Sequence, residues 1–216
     1  MSSDTAGSWT PIALSADLPA GTVMPARIPA GPIALWRSQA GHAVASADRC
    51  PHRGMRLSHG FVRGEALSCI YHGWSYGKTG NCLRIPAHPS LTPPETIRVA
   101  THDVEESDGI IWIALGQPAA RPPRFEGLVP LRSLTVNANV AAVEAAAGAK
   151  ADPEGLVSPS QHPQEIRLLL APQDDQTLIH VLLDDKSSPS RRIAASRTAE
   201  SLRRMAEDLQ AKVQAS

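Results

Sequence analysis

Two short segments constrain this chain more than any other feature: Cys50-Pro51-His52-Arg53-Gly54 and Cys69-Ile70-Tyr71-His72-Gly73-Trp74. Each offers one thiolate and one imidazole beside a glycine, in the order Cys-x-His, sixteen intervening residues, Cys-x-x-His. Soft sulfur and nitrogen donors at such spacing are metal-ligand chemistry. The chain has three cysteines, an odd number, and two of them stand beside histidines, which fits metal ligation better than a disulfide framework. Cys82 reads as a small buried thiol.

The flanking sequence reads as short antiparallel strands. Trp9–Leu14, Thr22–Ile28, Ile33–Arg37 and His42–Ala47 are separated by Pro-Ala-Gly and Gln-Ala-Gly turn signals, and the last leads directly into Cys50. Gly60-Phe61-Val62 and Ala66-Leu67-Ser68 flank the turn Arg63-Gly64-Glu65 and return the chain to Cys69. Trp74–Tyr76 and Cys82–Ile85 flank a Gly-rich turn, and Thr96–His102 with Ile110–Leu115 complete an all-β unit over residues 1–118. Residues 119–136 are rich in Pro, Arg and Gly and read as a linker. Residues 137–216 read as a small α+β segment. It contains an alanine-rich helix in Asn137–Lys150, a hairpin of Glu165–Leu170 and Thr177–Leu183 apolar on both faces, and a C-terminal amphipathic helix presenting Leu202, Met205, Leu209 and Val213.

Composition narrows the partners. Twenty-one basic residues balance twenty-one acidic ones, so no global field draws the chain to nucleic acid or an anionic membrane. The N-terminus lacks the charge and apolar run of a leader, and no segment has the length of a membrane span, so a soluble cytoplasmic protein is expected. There is no Ser/His/Asp signature, no phosphate-cradling loop and no nicotinamide or flavin fingerprint; no catalytic residue is assigned.

Two cysteines and two histidines could close a structural zinc tetrahedron or hold an iron–sulfur cluster. The order, spacing and flanking glycines, with Trp74, a following aromatic and Ile85-Pro86, closely resemble the Rieske domains of non-haem iron oxygenases of the demethylase type, over about residues 9–117. That resemblance implies a Rieske-type [2Fe-2S] cluster with Cys50 and Cys69 on one iron, His52 and His72 on the other, Trp74 sheltering it and Arg53 near its exposed tip. Two ferric ions, two sulfides and two thiolates sum to zero, against minus two with four thiolates, so the mixed set takes up an electron more readily. Reduction also raises the proton affinity of the imidazoles, coupling electron and proton at His52 and His72. Membrane-complex Rieske proteins carry two further cysteines where Met55 and Tyr71 stand here, which points to the soluble branch and a reducing compartment. Gly77 stands where the family often has Asp.

Catalytic subunits of such oxygenases continue into a helix-grip domain with a mononuclear iron held by two His and a carboxylate. Where the family shows Asn-x-x-Asp-x-x-His-x-x-x-x-His, this chain reads Asn139-Val140-Ala141-Ala142-Val143-Glu144-Ala145 and continues to Lys150 without a histidine. Residues 137–216 therefore resemble a reduced helix-grip segment, and mononuclear Fe(II) is not expected. His162 and His180 are the only histidines left for a second metal, and His180 reads as a core histidine. His42, His59, His88 and His102 read as surface or turn residues. The expected function is an oxidoreductase component carrying single electrons from a reductase or ferredoxin to an oxygenase subunit or other partner, as a homo- or hetero-oligomer. A small self-sufficient oxygenase and a non-enzymatic redox sensor are the alternatives.

Overall fold

The computed structural model describes residues 7–118, 120–161 and 166–215. Its strands are β1 (Ser8–Leu14), β2 (Val23–Ile28), β3 (Gly31–Arg37), β4 (Ala43–Ala47), β5 (Phe61–Arg63), β6 (Ala66–Ser68), β7 (Ser75–Tyr76), β8 (Cys82–Arg84), β9 (Thr101–His102), β10 (Val104–Ser107), β11 (Ile110–Leu115), β12 (Leu128–Val136), β13 (Leu156–Val157), β14 (Arg167–Gln173) and β15 (Gln176–Asp184). The helices are α1 (Val140–Ala147) and α2 (Pro189–Gln214). The sheets run β1-β11-β10, β2-β3-β4-β9, β5-β6-β7-β8 and β12-β15-β14-β13. Two compact units result, the first built mainly from residues 15–106 and the second mainly from 122 onward.

In the first unit, Ile33, Ala34, Leu35 and Trp36 of β3 are all buried, as expected of a central strand covered on both faces. β4 pairs with β3 from Ala43 to Ala47 and hands the chain to the first Cys/His segment. β5 and β6 form the next hairpin, with Val62 opposite Leu67, and β6 pairs onward with β7, so the second segment lies between them. The sequence places Thr96–His102 in one strand, but only Thr101–His102 pairs with β4. The preceding residues are committed elsewhere: Cys82 N–H donates to the Ile97 carbonyl (3.0 Å) and Val99 N–H to that of Gly80 (2.8 Å). Gly80 sits at φ +80°, and a Cβ there would stand 2.0 Å from the Val99 oxygen, so only glycine permits this approach. His102 is half-buried in β9, unlike exposed His42, His59 and His88. Strand β10, Val-Glu-Glu-Ser, has no apolar pattern to reveal it. Its Glu106 accepts from Arg37 (2.7 and 2.8 Å) and from the Ser15 hydroxyl (2.6 Å), and the Arg37 guanidinium holds its carboxyl below the usual range.

The second unit corrects the expected linker and the expected hairpin. Leu128–Val136, within the Pro-rich stretch, is a nine-residue strand pairing β15 from Leu128–Asp184 to Val136–Thr177. β12 is an edge strand with an irregularity between Pro130 and Arg132, the position in a sheet where a proline's missing N–H is tolerated. With β13 on the far side, the hairpin becomes a four-stranded sheet. β14 and β15 turn at Asp174-Asp175, and Asp174 takes φ 50°, which a short polar side chain tolerates. Asn139 caps α1 by accepting from Ala142 N–H (3.0 Å), and left-handed Gly148 ends it. Ser188 caps α2, with Pro189 in its first turn.

The buried stripe of α2 keeps Leu202 of the expected set, with Leu209 partly buried against the same core, but is otherwise made of alanine. Ala195, Ala199, Leu202 and Ala206 face the core with Val143, Ala146 and Ala147, while Met205 and Val213 are exposed. Three alanines in that stripe let the helix approach closely, while Met205 and Val213 stay at the surface. Arg203 pairs with Glu200 (2.7 Å) and Glu207.

His180 lies in β15 opposite Ser133, whose hydroxyl is 2.9 Å from Nδ1; His162 is outside the described residues. The His180 ring is fully buried, and Nε2 has no well-formed hydrogen bond. Burial pushes its pKa down to about 4, only partly offset by the Pro11 carbonyl. The unfolded chain binds this proton at higher pH, so stability is full above about pH 6.5 and falls toward pH 4 by about 3 kcal/mol. Urea midpoints measured across that window are expected to fall, and His180→Gln is expected to flatten the slope; an unchanged slope contradicts this.

Candidate metal centre

The two Cys/His segments use one backbone device twice. In the first, Cys50 N–H donates to the Met55 carbonyl (2.8 Å) and Gly54 N–H to the Cys50 carbonyl (2.8 Å). In the second, Cys69 N–H donates to the Trp74 carbonyl (2.9 Å) and Gly73 N–H to the Cys69 carbonyl (3.0 Å). Each loop thus closes over five residues, with a left-handed glycine four positions after the cysteine, at φ 72° for Gly54 and φ 69° for Gly73. This explains both glycines: a side chain at either is strained in that conformation, and at Gly73 it would also meet Pro86 Cγ at 3.0 Å.

The loops separate the two kinds of donor. Cys50 and Cys69 are 2% exposed and belong to the core formed with Trp36, Leu57, Leu67, Tyr76 and Ile85. Their thiols interact, and burial first, with Cys50 contributing, raises the pKa of Cys69. His52 and His72 emerge at the other end, with ring centroids 4.7 Å apart. The Trp74 indole stacks on His52 at 4.3 Å and 3°, and the exposed Tyr71 ring lies 3.9 Å from that of His72. Desolvation, then His72 and Arg53, lowers the pKa of His52. The four residues singled out from the sequence thus fall into two pairs, each taking one member from each loop: buried thiols, and imidazoles 4.7 Å apart between ring centroids.

Among the described residues, no three His, Cys, Asp or Glu side chains are grouped to hold a single metal ion. The donors associate by kind, cysteine with cysteine and histidine with histidine.

Four further residues support the loops, none of them assigned a role from the sequence. The Tyr76 hydroxyl lies 3.1 Å from Cys50 Sγ, and burial, then Cys50, keeps the phenol protonated far above its ordinary range. A thiolate at Cys50 would accept its proton in a hydrogen bond. Buried Asp48 accepts from Ser58 N–H (2.7 Å) and Ser58 Oγ (2.7 Å), clamping the two ends of the first loop region. Pro86 closes over Gly73. The strand pairing Leu67–Tyr76 was the available signal for Tyr76; a carboxylate and a serine ten residues apart leave no such trace.

The family model described as Rieske [2Fe-2S] domain matches residues 8–101. Oxidoreductase NdmD of Pseudomonas putida is 45% identical over 115 residues, 53% of this chain and 20% of that protein. The 4beta-methylsterol monooxygenase of Methylococcus capsulatus is 45% identical over 91 residues, 40% of this chain and 24% of its own length. The matched stretches thus span about a quarter or less of these relatives. Among solved structures, Pseudomonas putida CBB5 NdmA with caffeine superposes with a TM-score of 0.71 at 18% identity, covering 93% of this chain and 80% of that one. Dicamba monooxygenase bound to 3,6-dichlorosalicylic acid gives 0.73 at 20% identity, covering 98% and 90%. These structural likenesses are of fold.

Asp48→Ala leaves buried Ser58 donors without an acceptor and is expected to cost about 1–3 kcal/mol in denaturant unfolding. A loss of a few tenths or less contradicts the clamp.

Proposed function

Residues 8–101 of this chain are a Rieske [2Fe-2S] domain, which implies a [2Fe-2S] cluster, and we propose that Cys50, His52, Cys69 and His72 hold it and that the chain carries single electrons between proteins. The observation carrying this reading is the separation of donors by the twin loops: paired thiols in the core, paired imidazoles at the tip. That donor set fits a binuclear centre in which sulfur and nitrogen ligands go to different irons, whereas a tetrahedral zinc ion needs all four about one point. When bound, the cluster supplies a site that accepts and gives up one electron at a time.

The chain's own residues do the rest. Burial of Cys50 and Cys69 keeps water from the sulfur side, and the Tyr76 hydroxyl offers a hydrogen bond that withdraws charge from Cys50 Sγ. Trp74 stacks on His52 and fixes the ring plane, leaving the tip as the entry and exit for the electron. His52 and His72 would hold the cluster through one ring nitrogen each, leaving the other nitrogen at the tip for a hydrogen bond with solvent or a partner. The donor is a reductase or ferredoxin, the kind of centre that delivers electrons one at a time to such a cluster. The acceptor is an oxygenase subunit, the class to which relatives such as the 4beta-methylsterol monooxygenase belong by name. Helix α1 supports a carrier over a self-sufficient oxygenase: Asn139, Val140, Val143 and Glu144 stand there, with no histidine.

Purified protein is expected to hold about two iron atoms and about two acid-labile sulfides per chain. Zinc without sulfide refutes the cluster, and further iron beyond that pair refutes the carrier in favour of an oxygenase. Replacing a neutral imidazole by a thiolate adds one negative charge, so His72→Cys that retains a cluster is expected to lower the midpoint potential in a redox titration. An unchanged potential contradicts His72 as a ligand.

A further inference from the structure

We propose that the tip of the first unit is a docking surface for an acidic redox protein, with Ile70 and Tyr71 as its apolar centre and Arg49, Arg53 and Arg84 as its cationic rim. It rests on the electron-carrier function above and specifies the chemistry of the partner. From Arg49 to Arg98 the sequence holds seven basic residues against Glu65 and Glu95, a net charge of +5, although the whole chain sums to +0. The asymmetry is at the surface, because Arg49, Arg53, Arg56, Arg63, Arg84 and Arg98 are all exposed. Two nearby acids are already engaged. Asp48 is buried against Ser58, and Glu65 accepts from Ala40 N–H (3.0 Å) with Lys78 at 3.6 Å and His42 at 3.5 Å.

Apolar exposure concentrates in the same stretch. Of eight large hydrophobic residues exposed among the described ones, five lie between Phe61 and Leu91. Ile70 and Tyr71, at 56% and 59% exposure, precede His72 on the second loop. Arg53 follows His52 on the first, Arg49 packs against Gly54, and Arg84 lies two residues before the Pro86 that covers Gly73. Exposed apolar residues beside one imidazole and exposed cations beside the loops that carry both have the composition of a transient interface. Its charges steer a partner of opposite sign, and its centre excludes water where the electron path is shortest.

Small redox probes test this without the natural partner. The reduced holoprotein gives one electron to the trianion ferricyanide, forming ferrocyanide, or one electron to the trication tris(phenanthroline)cobalt(III). Between about 0.01 M and about 1 M salt the screening length shrinks from ~30 Å to ~3 Å. The ferricyanide rate constant is expected to fall about tenfold or more across that range, while the cobalt rate rises. The double variant Arg53→Glu/Arg84→Glu is expected to shrink both trends, and Arg191→Glu/Arg197→Glu, in α2, to leave them intact. A second readout needs no cluster: at neutral pH the wild type and the α2 variant are retained on a cation exchanger, and the tip variant elutes earlier. An acidic plant-type [2Fe-2S] ferredoxin should bind the wild type in a salt-sensitive manner and the tip variant more weakly. Salt-independent rates with both probes, equal elution of the two double variants, or tighter binding to duplex DNA than to the ferredoxin overturns the proposal. A preparation lacking sulfide fails the electron-carrier function instead, and column retention still reads the surface.

Discussion

The first unit depends on burying Cys50 and Cys69 side by side in its hydrophobic core. Burial raises the pKa of the Cys69 thiol, so as a free thiol it resists the ionisation that metal binding requires. The surrounding structure is arranged to make that placement specific. Each cysteine has both backbone polar groups engaged within its own loop, and each loop turns back through a left-handed glycine. Few degrees of freedom remain to either sulfur. The imidazoles, two and three residues further on, are carried to the opposite end by the same turns.

Much of this was legible in the sequence. The spacing of Cys50, His52, Cys69 and His72, with Gly54 and Gly73, pointed to two ligand loops, and strands β1 to β8 follow the alternation and turn signals closely. What escaped had no periodic signature. Asp48 and Ser58 meet through tertiary structure, Glu106 turns a polar tetrapeptide into strand β10 by pairing with Arg37, and Ile97 and Val99 are diverted from a strand by Gly80 and Cys82. Pro130 made a strand look like linker because the composition does not say which edge of a sheet a proline will occupy.

The second unit has a different physical logic. Its four-stranded sheet is buried on both faces along β14 and β15, and an alanine stripe on α2 packs with α1. His180, the one described histidine there, is bound into the sheet by Ser133 and held neutral by burial. The chain shares its fold with a dicamba monooxygenase structure, and α1 presents alanine, valine and one glutamate, without a histidine. Exposed cationic and apolar residues gather instead in the stretch of the first unit that carries the two Cys/His loops.

The ligand assignment is the claim on which the rest stands, and electron–nuclear double resonance on the one-electron-reduced protein tests it most directly. With ¹⁵N-labelled histidine, two distinct nitrogen couplings to the unpaired spin are expected, one lost in His52→Cys and the other in His72→Cys. A signal without histidine nitrogen couplings, or couplings that survive both substitutions, would contradict the account.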